Sequence, residues 1–230
     1  ELPAVQRSCL EALKKAGKKV VFVNCSGSAI AMVPETQNCD AILQAWYPGQ
    51  AGGQAVADVL FGNYNPAGHL PVTFYKSVQQ LPDFSDYSMK SRTYRYMTAE
   101  PLFPFGFGLT YTTFNIGNAR ISKSTITKGE TVQLTVPVAN TGKRDGIEVL
   151  QVYIRKLNDT AAPLKTLRAF KRVPLSSGKS EMVKLDIPAK AFEFFDEAEG
   201  VQKVQPGNYE LLYGESSANK DLKPVKITIL

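Results

Sequence analysis

Trp46-Tyr47-Pro48-Gly49-Gln50-Ala51-Gly52-Gly53 is followed by Gln54-Ala55-Val56-Ala57-Asp58-Val59-Leu60-Phe61-Gly62 and then by Asn63 to Phe74, with prolines at 66 and 71. The order is strand exit, glycine turn, short helix and proline-set extension. Val56, Val59 and Leu60 share one helical face, and Gly62 supplies the stop. Glycine at 52 and 53 permits a tight turn and close packing.

Upstream, the apolar residues Val5, Cys9, Leu10, Leu13 and Ala16 recur near 3.6 and predict a helix over 4–16, stopped by Gly17. Lys19 to Asn24 is a β-branched and aromatic run, the pattern of a strand covered on both faces. Ala41 to Trp46 reads as a second buried strand, and 53–61 as a helix. Strands alternating with helices favour a parallel α/β sheet.

The grammar changes downstream. Leu81 to Phe114 is dense in aromatics, proline and glycine, and aromatics at that density need burial, which predicts a packed connector. Beyond residue 116 the period is two: Val132, Leu134, Val136, Val138; Leu150, Val152, Ile154; Val183, Leu185, Ile187; Val225, Ile227, Ile229. With turns at Asn140-Thr141-Gly142, Ser176-Ser177-Gly178 and Pro206-Gly207-Asn208, about seven strands predict an antiparallel β-sandwich of immunoglobulin or fibronectin type. The fold class is therefore α/β followed by all-β. Residues 1–115 form a partial parallel α/β layer, with the connector over about 81–115, and residues 116–230 form the sandwich.

Several function classes fall away. The net charge of +6 is spread over basic residues interleaved with acids, such as Lys143-Arg144 and Lys171-Arg172. That is a solvated surface, and no nucleic-acid partner is expected. No apolar run is long enough to span a bilayer. Glu1-Leu2-Pro3 shows no leader signature, so any signal peptide is expected to have been removed or to lie upstream. Cys9, Cys25 and Cys39 are odd in number and irregular in spacing, so they are no disulfide framework; Cys25 reads as a small core residue. His69 is the one histidine, and no Cys-x-x-Cys occurs, so no metal site is expected. The loop Ser26-Gly27-Ser28 fits no phosphate-binding pattern, so no nucleotide cofactor is expected.

Leu2-Pro3-Ala4-Val5-Gln6, Trp46 to Phe74, Pro101 to Phe114, Thr135 to Arg155 and Leu167 to Val173 together resemble the C-terminal part of a glycoside hydrolase family 3 enzyme, the β-glucosidase and β-xylosidase group. Many β-glucosidases of the family carry Glu where Ala51 stands, so the resemblance leans to the β-xylosidase-like branch. It implies a (β/α)8 barrel preceding an α/β sandwich and a fibronectin-type domain. It also implies a retaining exo-hydrolase of terminal β-glucosides or β-xylosides, secreted or periplasmic. Retention needs two carboxylates about 5–5.5 Å apart. The family's Asp nucleophile lies on the barrel and its Glu acid/base upstream of the segment matching Leu2-Pro3. Neither position falls in this chain, so no catalytic residue is assigned and the piece alone is expected to be inactive.

Glu35 and Asp40 flank the loop between the two predicted strands, near the entry edge of the sheet rather than the exit where sites form. Trp46, Tyr47 and Gln50 stand at the exit, where an aromatic face stacks on sugar or packs in the core; they are the candidate substrate-binding wall. Arg92 and Arg95 are expected to pair with carboxylates across a domain interface. The expected partners are a β-linked oligosaccharide and either the preceding barrel or a second copy at an open sheet edge. A non-catalytic carbohydrate- or protein-binding module is the alternative, though Tyr153, Tyr209 and Tyr213 look half-buried within their strands.

Overall fold

A computed structural model describes residues 1–196 and 198–230. The first half runs α1 (Ala4–Lys15), β1 (Val21–Asn24), α2 (Val33–Asn38), β2 (Ala41–Gln44) and α3 (Gly52–Leu60). Helix α1 ends as the sequence predicts. Gly17 adopts φ +70°, its N–H reaches the Lys14 carbonyl at 2.9 Å, and Lys18 N–H reaches Leu13 at 3.1 Å, a paired αL cap. β1 and β2 are parallel, from Val21 opposite Ala41 to Asn24 opposite Gln44.

Three expectations need correction here. The segment between the strands holds the helix α2, because Pro34 falls in its first turn, where a missing N–H costs nothing. The strands are not sealed on both faces: α1 buries no residue, Val5 is 77% exposed and Val21 49% exposed. A two-stranded layer is too small to cover its own helices. Cys25, expected in the core, is exposed just past the end of β1, whereas Cys39 is buried.

The connector is packed only in part. Tyr94, Phe103, Phe105 and Phe107 are half-buried, but Phe84 is 94% and Tyr87 90% exposed, against the burial expected of its aromatics, because the chain bends there through exposed turns. Residues 70–74 zip against 102–107 through Leu70 N–H to Phe107 O (2.8 Å), Gly106 N–H to Leu70 O (2.8 Å) and Phe74 N–H to Phe103 O (2.9 Å). Asp83 and Asp86 cap their own turns at Ser85 and Ser88, and a short α4 (Thr93–Tyr96) follows. Arg92 donates to the carbonyls of Ser88 and Asp86, not to a carboxylate across an interface.

The sandwich comprises β3 (Phe114–Ile116), β4 (Arg120–Ile121), β5 (Thr125–Ile126), β6 (Val132–Asn140), β7 (Gly146–Lys156), β8 (Thr166–Leu175), β9 (Ser180–Ile187), β10 (Glu193–Asp196), β11 (Val201–Val204), β12 (Gly207–Gly214) and β13 (Leu222–Ile229). One sheet has the order β5-β13-β12-β7-β8. The other is centred on β6, with β9 on one side and β3 and β4 on the other, while β10 and β11 form a hairpin. Val132, Leu134, Val136, Val138, Leu150, Val152 and Ile154 have no exposed surface and meet between the sheets, as the period of two demands.

Strand β7 breaks the expected alternation. Val149, Gln151 and Tyr153, on its outer face, are buried too. The first half covers them. Tyr94 stacks on Phe105 (centroids 4.4 Å apart), and both rings meet Tyr153 edge-on, at 5.6 and 6.4 Å. Gln151 Nε2 donates to the Gly106 carbonyl (3.0 Å) and the Glu215 carbonyl (2.6 Å), and its Oε1 accepts from Tyr153 OH (2.6 Å). Gly106 has φ +80°, and a Cβ there would stand 2.0 Å from Gln151 Oε1, so this close approach requires glycine. Backbone bonds seal the seam: Leu164 N–H to Arg95 O (2.7 Å) and Ser217 N–H to Phe105 O (2.9 Å). Tyr153, Tyr209 and Tyr213 are fully buried rather than half-buried, which removes them as sugar-stacking surfaces.

Candidate functional site

Parallel strands direct their C-terminal ends to one edge, and ligands of α/β sheets gather there. At that edge Asn24, which is buried, donates through Nδ2 to Ser26 Oγ (2.9 Å) and Gln44 Oε1 (2.5 Å). Ser26 Oγ in turn donates to Ser28 O (2.9 Å). These bonds hold the Ser26-Gly27-Ser28 loop in place. Gly27 lies under the Tyr47 ring, since a Cβ on it would stand 2.5 Å from the Tyr47 Cε2.

Trp46 leaves β2 with φ +56°, an outlier for a bulky residue. Its half-buried ring meets Phe74 edge-on, with centroids 6.2 Å apart. Tyr47 is 79% exposed, and Gln50 is exposed in the Pro48–Gly52 turn, where Gly52 N–H reaches Gly49 O at 2.9 Å. Tyr47 therefore sits with the serine loop, Trp46 with the connector, and Gln50 on the turn between them and α3. Strain of this kind persists where the surroundings fix it and clusters at ligand sites.

The carboxylates of the first half lie elsewhere. Asp40 accepts from Lys19 Nζ (2.8 Å) and Val20 N–H (2.9 Å) at the opposite sheet edge, and Lys19 holds its carboxyl below the usual range. Glu35 is buried against Arg7 Nε (2.8 Å). Asp58 accepts from Gln54 (2.8 Å) along α3, and Glu100 pairs with Lys76 (2.8 Å). Among the described residues no group of three or more His, Cys, Asp or Glu is placed to hold a metal ion.

One titratable cluster was not legible in the sequence. His69 and Glu148 line a cleft of about 230 Å³ at the seam. His69 Nδ1 lies 2.5 Å from the Gly106 carbonyl, so that nitrogen carries the proton, and burial pushes the imidazole below its ordinary value. Burial likewise pushes the Glu148 carboxyl up to about 7, against the bond it accepts from Val149 N–H (2.8 Å). The protonated acid stabilises the fold, so this contribution is complete below about 4.5 and is lost as pH rises through 7. Glu148→Gln mimics the neutral acid. Urea titrations should show the variant equal to the parent near pH 4.5 and more stable by about 2–3 kcal/mol above pH 8. Equal stabilities across that range would refute the assignment.

The Glycosyl hydrolase family 3 C-terminal domain matches residues 1–111, and the Fibronectin type III-like domain matches residues 148–217. The chain belongs to glycoside hydrolase family 3. It is 56% identical over 229 residues to a xylan 1,4-beta-xylosidase of Xylanibacter ruminicola, covering 100% of this chain and 26% of that protein. It is 37% identical to a periplasmic beta-glucosidase of Salmonella typhimurium, over 94% of this chain and 30% of that protein. A β-glucosidase structure from Erythrobacter marinus superposes with a TM-score of 0.87 at 37% identity, covering 100% of this chain and 30% of that one. A GH3 β-glucosidase from Bifidobacterium adolescentis gives 0.89 at 31% identity, covering 100% and 36%. The chain thus spans about a quarter to a third of the curated relatives' length and aligns with their C-terminal part. No helix among the described residues is long and apolar enough to cross a membrane.

Proposed function

We propose that this chain is the C-terminal portion of a retaining exo-β-glycosidase that removes terminal β-xylosyl or β-glucosyl units, with xyloside favoured. The full-length match to a xylan 1,4-beta-xylosidase of which the chain spans 26% carries this reading. The family's barrel supplies the Asp nucleophile, the stretch upstream of the segment matching Leu2-Pro3 supplies the Glu acid/base, and together they cover the exposed apolar residues of α1 and β1, such as Val5 and Val21. Residues 1–115 complete the pocket wall through Trp46, Tyr47 and Gln50, and residues 116–230 brace that wall across the seam. The periplasmic relative supports a secreted or periplasmic location.

The test is hydrolysis of nitrophenyl β-xyloside and β-glucoside. A protein that includes the preceding barrel sequence should turn over at least one of them, while the 230-residue chain alone stays at the uncatalysed rate. Rate enhancements by enzymes start at about a millionfold, so the contrast is unambiguous. Turnover by the chain alone would overturn the reading.

A further inference from the structure

Strand β8 carries a bulge. Ala169 pairs with Val152 and Leu167 with Tyr153, which leaves Arg168 as the extra residue. A bulge re-aims the side chain it carries. The Arg168 guanidinium lies over the Phe194 ring, 5.4 Å from its centroid, and its Nη2 donates to the Glu193 carbonyl. Its Nε is buried with no hydrogen-bond partner among the described residues.

Helix α4 docks on the same stretch, through Leu164 N–H to Arg95 O (2.7 Å) and Leu167 N–H to Tyr94 OH (3.1 Å). This brings up a second guanidinium. Arg95 lies over Tyr96 at 5.5 Å, and its Nε is also buried and unpartnered, as is Thr166 Oγ1. Neither arginine is ion-paired among the described residues, contrary to the interface pairing expected for Arg95. Burial, and then the Arg95 charge, hold Arg168 below its ordinary pKa, and the opposing pull of Glu193 does not offset them.

Arg168 also borders a cleft of about 470 Å³, with Phe170 and Lys171 on the β8 wall and Lys184 and Asp186 on the β9 wall. Of the acids nearby, Asp186 accepts from Gln133 Nε2 (2.8 Å), Glu181 lies 3.9 Å from Lys171, and the Glu193 carboxylate acts on Arg168 without forming an ion pair. Phe170 is 64% exposed beside these cations. Buried donors without acceptors are costly, and a planar guanidinium suits an oxyanion best.

We propose that the β8–β9 cleft, lined by Arg168, Lys171 and Lys184, is an oxyanion-binding site. Its ligand is either the carboxylate of a uronic-acid unit, whose ring lies against Phe170, or a free inorganic phosphate. The uronate source, though not the site itself, rests on the glycosidase reading.

Isothermal titration of the protein with inorganic phosphate, glucuronate and glucose at low salt tests this. One or both anions should bind and glucose should not. Affinity should fall about tenfold in Arg168→Met and severalfold in Lys184→Ala, an exposed position whose loss leaves the fold intact. Glucuronate binding more tightly assigns the glycan source, and phosphate binding more tightly the free ion. Absence of anion binding, or equal affinity in parent, Arg168→Met and Lys184→Ala, overturns the site. Hydrolysis of nitrophenyl β-xyloside, read in parallel on the full-length protein, reports separately on the glycosidase reading.

Discussion

Replacing Tyr153 by alanine should lower the unfolding free energy by about 3–5 kcal/mol, the largest stability loss expected of any single change at the seam. Tyr153 has no exposed surface and sits on the outer face of β7, not in the gap between the sheets. Its ring supports Tyr94 and Phe105, and its hydroxyl orients Gln151, which holds Gly106 and Glu215. Removing the ring opens a cavity under two aromatics and frees a buried amide, so both the packing and the polar loss add to the cost. Tyr153→Phe keeps the ring and should cost about 1 kcal/mol. Urea unfolding, followed by fluorescence and circular dichroism, reads both values. A loss under about 1 kcal/mol for the alanine variant would mean that the two halves do not unfold as one unit.

Removing the Trp46 ring from the full-length protein should lower kcat/KM for nitrophenyl β-xyloside about 10–100-fold. The choice of replacement separates recognition from packing. Trp46 holds φ +56°, which glycine adopts freely and alanine does not. Trp46→Gly and Trp46→Ala both lose the edge contact with Phe74, but only alanine retains the backbone strain. The glycine variant should therefore melt at the higher temperature while sharing the same kinetic loss. Unchanged kinetics in a folded Trp46→Gly variant would make Trp46 a packing residue alone.

Local rules made much of this fold legible. The 3.6 period and Gly17 placed α1, and the alternation at Val132–Val138 and Leu150–Ile154 placed the sandwich core. What stayed hidden depends on contacts distant in sequence. Pro34 reads as a breaker unless it is seen to occupy the first turn of α2. Cys25 follows an apolar run and still lies outside the sheet, because β1 stops at Asn24. Tyr153 looks like an outward residue of a half-exposed strand, and only Tyr94 and Phe105, from far upstream, bury it. Glu148 gave no signal as a titrating group, since its shift comes from the burial that the seam creates. The aromatic density of residues 81–114 pointed to burial without identifying its partner, and it holds for Tyr94, Phe103 and Phe105 but not for Phe84 and Tyr87.

A retaining glycosidase forms a covalent glycosyl–carboxylate intermediate, and a 2-deoxy-2-fluoroglycoside with a good leaving group traps it. Mass spectrometry of the digested, inactivated full-length protein locates the labelled residue. The label is expected on an aspartate in the barrel, upstream of Glu1. A label on any Asp or Glu between residues 1 and 230 would contradict the supporting role assigned to this chain.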